Sequence, residues 1–161
     1  KQGIFAYTCG GAHLLQGAAY AVARGFGTDN DRASIEEEVP ALFYRFDIEI
    51  AQVDQALQEH PDYAPLLLSQ RLKFTGHFLE STHTLAALGL YVPNESQVSV
   101  LERAVVELVA TVGALDQAGA FQGLDAMKGG PNHQLYLDLV GDSAQAIRGL
   151  DLATGTGAGR Y

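Results

Sequence analysis

The sequence predicts an all-α protein: five main helices arranged as repeated antiparallel hairpins. Three observations lead there. Apolar residues recur at helical spacing, as in Leu42, Phe43, Phe46, Ile50, Val53 and Leu57, and again in Val98, Leu101, Val105, Leu108, Val112 and Leu115. Glycine and proline stand between these runs, at Gly25, Gly27, Pro61, Gly89, Pro93, Gly129, Gly130 and Pro131. No segment alternates apolar and polar residues with the period of a strand.

The first predicted helix spans Phe5 to Arg24. The stretch Ala6–Arg24 carries no charge until its last residue, and such a helix is expected in an interior, with the rest of the chain organised around it. A polar turn, Thr28 to Arg32, follows. Asp31 or Ser34 is then expected to cap the second helix, with Glu36, Glu37 and Glu38 near its positive end. Pro40 is expected to kink or restart that helix, which stops before Pro61. The third helix starts at Asp62 or Pro65 and runs to Leu88, with Gly89 ending it. Asn94 or Ser96 caps the fourth. Ala118 to Met127 either extends that helix or forms a short extra turn. The fifth covers Asn132 to Leu152, so residues 1–152 make one helical domain and the small-residue stretch 153–161 a flexible tail.

The odd-numbered helices share a pattern. Gly10-Gly11-Ala12-His13-Leu14-Leu15-Gln16 aligns with Phe74-Thr75-Gly76-His77-Phe78-Leu79-Glu80, and more weakly with Asp142-Ser143-Ala144-Gln145-Ala146-Ile147-Arg148. A repeated helical hairpin accounts for this, as in a solenoid or part of an α/α toroid; an up-down bundle is the alternative. Small residues before each anchor would let neighbouring backbones approach closely.

Composition bounds the function. The chain has 161 residues, 47% of them hydrophobic, enough for one folded domain with a core. Its net charge of −9 argues against nucleic acid or an anionic membrane as partner, since both require a basic patch. The stretch nearest to a membrane span, residues 6–23, is interrupted by Cys9-Gly10-Gly11, His13 and Gln16, so a soluble protein without a span is expected. One cysteine cannot form an internal disulfide, which leaves the compartment undecided. Because the chain opens almost directly on an apolar helix, a processed or truncated N-terminus is expected.

Stacking the repeats gathers the polar anchors. His13, His77 and Gln145 fall in one layer; Gln16, Glu80 and Arg148 fall a turn away; Cys9 and Lys73 lie a turn the other way. The plain reading is a structural spine in which Glu80 pairs with Arg148 and the histidines bond to Gln or backbone groups. The sharper reading makes Cys9, His13 and His77, with His83 as a further candidate, ligands of a transition metal, zinc or iron, with Cys9 and His13 one helical turn apart. Glu80 and His83 add a Glu-x-x-His spacing, but a di-iron bundle requires a second such pair, which the chain lacks. Gln16, Glu80, Gln145 and Arg148 would line a small-ligand pocket beside the metal. Two other functions compete. One is a non-catalytic scaffold that self-associates or takes a partner helix along the open flanks of the first and fifth helices. The other is an enzyme using Cys9 and His13 as nucleophile and base, for an unassigned reaction.

Overall fold

A computed structural model of the chain describes residues 11–155, and every long element among them is helical. The elements are α1 (Ala12–Ala23), α2 (Asp29–Glu59), α3 (Ala64–Ala87), α4 (Glu95–Gln117), the four-residue α5 (Leu124–Met127) and α6 (His133–Thr154). A 3-10 turn, Pro61–Tyr63, joins α2 to α3. Five long helices are therefore present among the described residues, with the stretch after Gln117 forming turns and one short helix.

The centre of the fold is α3, not α1. Helices α1, α2, α4 and α6 all pack against α3, and its most extensive contact is with α6. Residues Thr75 to Leu79 are buried without interruption, and Ser81, Thr82, Thr84 and Leu85 continue the burial. By contrast α1 buries Ala12, Leu15, Gln16 and Ala19, while Leu14 is 52% exposed. The reason lies in side-chain size. The alanines and glycines that make α1 look apolar remove little surface from water, so their burial stabilises weakly. Leucines and phenylalanines on α3 bury far more per residue. Leu72, Leu79 and Leu85 are fully buried, and Phe78 stacks on Phe46 with ring centroids 4.4 Å apart.

Buried hydroxyls let α3 pass through the core. Ser69, Thr75 and Thr82 donate to carbonyls of their own helix, at Leu66, Arg71 and Phe78 respectively. A hydroxyl satisfied within its own turn costs little when water is removed.

The helix starts differ from expectation at one place. Thr28 caps α2: its Oγ1 accepts from the Asp31 backbone, and the Asp31 carboxylate accepts from the Thr28 backbone at 2.7 Å. Asp31 is thus the third helical residue of a capping box rather than the cap. Asn94 and Gln97 build the same box on α4. Pro40 lies inside α2, which continues unbroken to Glu59. At the other end, α6 includes Ala153 and Thr154, both expected in the tail; residues 156–161 lie outside the described residues.

The contact between α3 and α6 is the closest in the fold. A Cβ on Gly76 would lie 3.0 Å from the Ala146 backbone, and one on Gly149 would lie 3.0 Å from the Gly76 carbonyl oxygen. On α6 the buried positions Leu139, Asp142, Ala146 and Gly149 follow helical spacing. Small residues at two of them bring the axes together, and this sets Asp142 against α3.

Around this centre, charged pairs tie the outer helices together. Arg71 of α3 reaches Asp54 of α2 at 2.7 Å and also Glu107 of α4. Arg103 of α4 pairs with Asp47 of α2. Among the described residues no helix is long and apolar enough to cross a membrane.

Candidate metal centre

A polar seam runs where α1 and α6 meet α3. Lys73, His77 and Glu80 are spaced by one helical turn on α3, so they share a face. His13 and Gln16 approach that face from α1, and Asp138 and Asp142 approach it from α6.

At the centre of the seam is His77, 3% exposed. The His13 ring meets it edge to face, with centroids 4.3 Å apart. Glu80 stands one turn further along α3. The nearest donor atoms of His13, His77 and Glu80 all lie within 4.8 Å of one another, so this group could hold a metal ion. Ligands around tetrahedral zinc stand about 3.3 Å apart for metal–ligand bonds of about 2.0–2.1 Å. Rotamer adjustments of about an ångström would close the group on an ion.

The buried atoms of this group lack partners. Nδ1 of His77 and Oε2 of Glu80 make no hydrogen bond. Buried polar atoms are seldom left this way, because each forfeits its bonds to water. The other ring nitrogen of His77, Nε2, faces Oδ1 of Asp142 at 3.6 Å. Lys73 approaches the second oxygen, Oδ2, at 3.5 Å and Asp138 at 3.4 Å.

Electrostatics favour ligand-ready histidine. Partial burial lowers the pKa of His13, and the neighbouring His77 lowers it further, against a smaller upward pull from Asp142. His13 is thereby biased toward the neutral form that binds metals. Burial pushes the Glu80 carboxyl up, against the opposing pull of His77, Arg148 and Gln16. A cation held at this place would supply the charge that burial denies Glu80.

The residues singled out from the sequence divide into groups. His13, His77 and Glu80 are brought together, and Gln16 and Arg148 stand beside Glu80. Gln145 occupies the flank of α6, partly exposed, while the buried residue aimed at His77 is Asp142, three positions earlier. The close approach of Gly76 to Ala146 and of Gly149 to Gly76 sets the register of α6 against α3.

His83 is separate from the group. It faces a cleft of ≈ 290 Å³ between α3, α4 and the end of α6, lined by Pro93, Val98, Leu101, Val105 and Ala153. Six residues after His77, it projects to another side of α3. Burial alone lowers its pKa. Cys9 lies outside the described residues, and with it the Cys9–His13 pair considered as nucleophile and base.

Asp142 is the residue that sequence reasoning missed. One pointer to it was present: an acid four residues after Asp138, at helical spacing from Leu139 and Ala146 and so on their face of the helix.

No protein-family model matches the chain, and no curated protein or solved structure matches it either.

Proposed function

We propose that this protein binds one transition-metal ion, zinc or iron, between α1 and α3, with His13, His77 and Glu80 as ligands. The observation that carries this reading is the convergence of three donor atoms within 4.8 Å, two of whose side chains hold buried atoms without partners. Two imidazoles and one carboxylate suit zinc and ferrous iron, and three protein ligands leave at least one coordination position open. The sequence offers Cys9, four residues before His13, for that position. Gln16 and Arg148 flank Glu80 and would meet any small ligand that takes the position instead.

The test is metal analysis of protein purified without a histidine tag, followed by zinc titration of the stripped protein. One equivalent of metal is expected, lost in His77→Ala. Protein that takes up no stoichiometric zinc or iron would overturn the reading. Cobalt substitution examines Cys9: a thiolate ligand adds a near-ultraviolet charge-transfer band, which Cys9→Ser would remove.

A second reading, a scaffold that self-associates, is supported by the outer face of α6. Leu137, Val140 and Ile147 are exposed there at helical spacing, Ile147 at 61%. A molar mass of two chains in solution, reduced to one by Ile147→Lys, would favour it.

A further inference from the structure

His77 has two ring nitrogens with different surroundings. Nε2 faces the Oδ1 atom of Asp142 at 3.6 Å, whereas Nδ1 is buried with no partner. The two oxygens of Asp142 have different neighbours. Oδ2 is approached by Lys73 Nζ at 3.5 Å, and Oδ1 is left to the imidazole. Lys73 itself is shared with Asp138, one turn before Asp142 on α6. The lysine therefore pairs electrostatically with the carboxylate from one side, without a hydrogen bond to Oδ2, and the close contact of Gly76 with Ala146 fixes the distance between the two helices.

In a buried place, a carboxylate next to a ring nitrogen favours the proton on that nitrogen, because an N–H pointing at a carboxylate is stabilised and a lone pair pointing there is repelled. The opposite tautomer would also bury an N–H at Nδ1 with no acceptor.

We infer that Asp142, held by Lys73, is the positioning residue that fixes His77 as the Nε2–H tautomer and presents the Nδ1 lone pair as the donor atom. This rests on the metal-binding reading for the purpose of the lone pair, but the tautomer itself belongs to the metal-free protein. Asp142 touches no ion in this arrangement and acts through the imidazole, as carboxylates behind metal-bound histidines do. On loading, the ring turns slightly and the 3.6 Å approach shortens to a hydrogen bond.

The experiment is long-range proton–nitrogen correlation spectroscopy on ¹⁵N-labelled protein at neutral pH, without metal and with zinc alone. In the metal-free wild type, His77 is expected to show a protonated Nε2 and an unprotonated Nδ1. Zinc should then shift the Nδ1 resonance and leave the Nε2 proton in place. Asp142→Asn should weaken zinc binding about 10–100-fold and mix the two tautomers, and Asp142→Glu should recover part of both. A metal-free wild type with the proton on Nδ1 would overturn the inference. So would Asp142→Asn with unchanged zinc affinity and an unchanged tautomer. If the wild type binds no zinc, the metal reading fails by itself, and the metal-free tautomer still decides the role of Asp142.

Discussion

Gly149 lies against Gly76 so closely that a methyl group on it would stand 3.0 Å from the Gly76 carbonyl oxygen and 3.0 Å from the Leu79 Cβ. A methyl group there requires the α3 backbone or the Leu79 side chain to give by a few tenths of an ångström. Gly149→Ala should therefore cost about 1–3 kcal/mol, the usual cost of overpacking a dense core, read from urea unfolding. Gly113 on α4 is the contrasting case. A Cβ there meets nothing within 4 Å, so Gly113→Ala should stabilise by about 0.5–1 kcal/mol through helix propensity alone. Equal effects of the two substitutions would contradict the α3–α6 contact.

Leu79 is fully buried on α3, in the core cluster. Leu79→Ala should lose about 2–5 kcal/mol, the transfer and cavity cost of a leucine in a core. Leu14, on the exposed side of α1, should lose much less on the same substitution. Thermal unfolding followed by circular dichroism distinguishes them, and a large loss at position 14 would return α1 to the centre of the fold.

His83 gives a pH dependence that is separate from the seam. Burial holds its pKa below the ordinary histidine value of 6.5. The unfolded chain therefore takes up this proton first as the pH falls. Stability from His83 is fully present above about pH 6.5 and decreases as the pH drops from there through the lowered folded value. His83→Gln should flatten the stability profile in that window. A variant whose profile keeps the full slope would assign the proton uptake to another group.

Zinc should stabilise the fold by mass action. At a free concentration about 100 times the dissociation constant, a ligand that binds only the native state adds about 2.7 kcal/mol. A rise in melting temperature with zinc is expected in the wild type and not in His77→Ala or Glu80→Gln. An equal rise in all three proteins would move the ion elsewhere.

The outer helices were legible because their polarity is periodic. On α4 Leu101, Leu108 and Leu115 are buried as the apolar run announces, and Asn94 caps it as read, while Ala104 and Thr111 complete the buried face and Val98 and Val112 are exposed. The central helix was misassigned because hydropathy does not weigh side-chain volume or local bonding. Gly and Ala inflated α1, while the threonines of α3 looked polar although Thr75 and Thr82 bond within their own helix. The repeated pattern of their helices groups His13 with His77, whereas Glu80, one turn after His77, reads from sequence as a neighbour of Gln16 and Arg148 rather than as a metal ligand. Asp142 could not be grouped with them, because its partner is chosen by the α3–α6 register, and that register depends on Gly76, Ala146 and Gly149 meeting across the helices.

The three donors do not come from equally anchored parts of the chain. His77 and Glu80 ride on α3, enclosed on all sides, whereas His13 rides on α1, which touches little besides α2 and α3. An ion here would act as a rivet through the outermost plank of the fold. Amide exchange along residues 12–23 would then slow on loading while α3 hardly changes, so that cation supply governs how firmly this one segment is fastened.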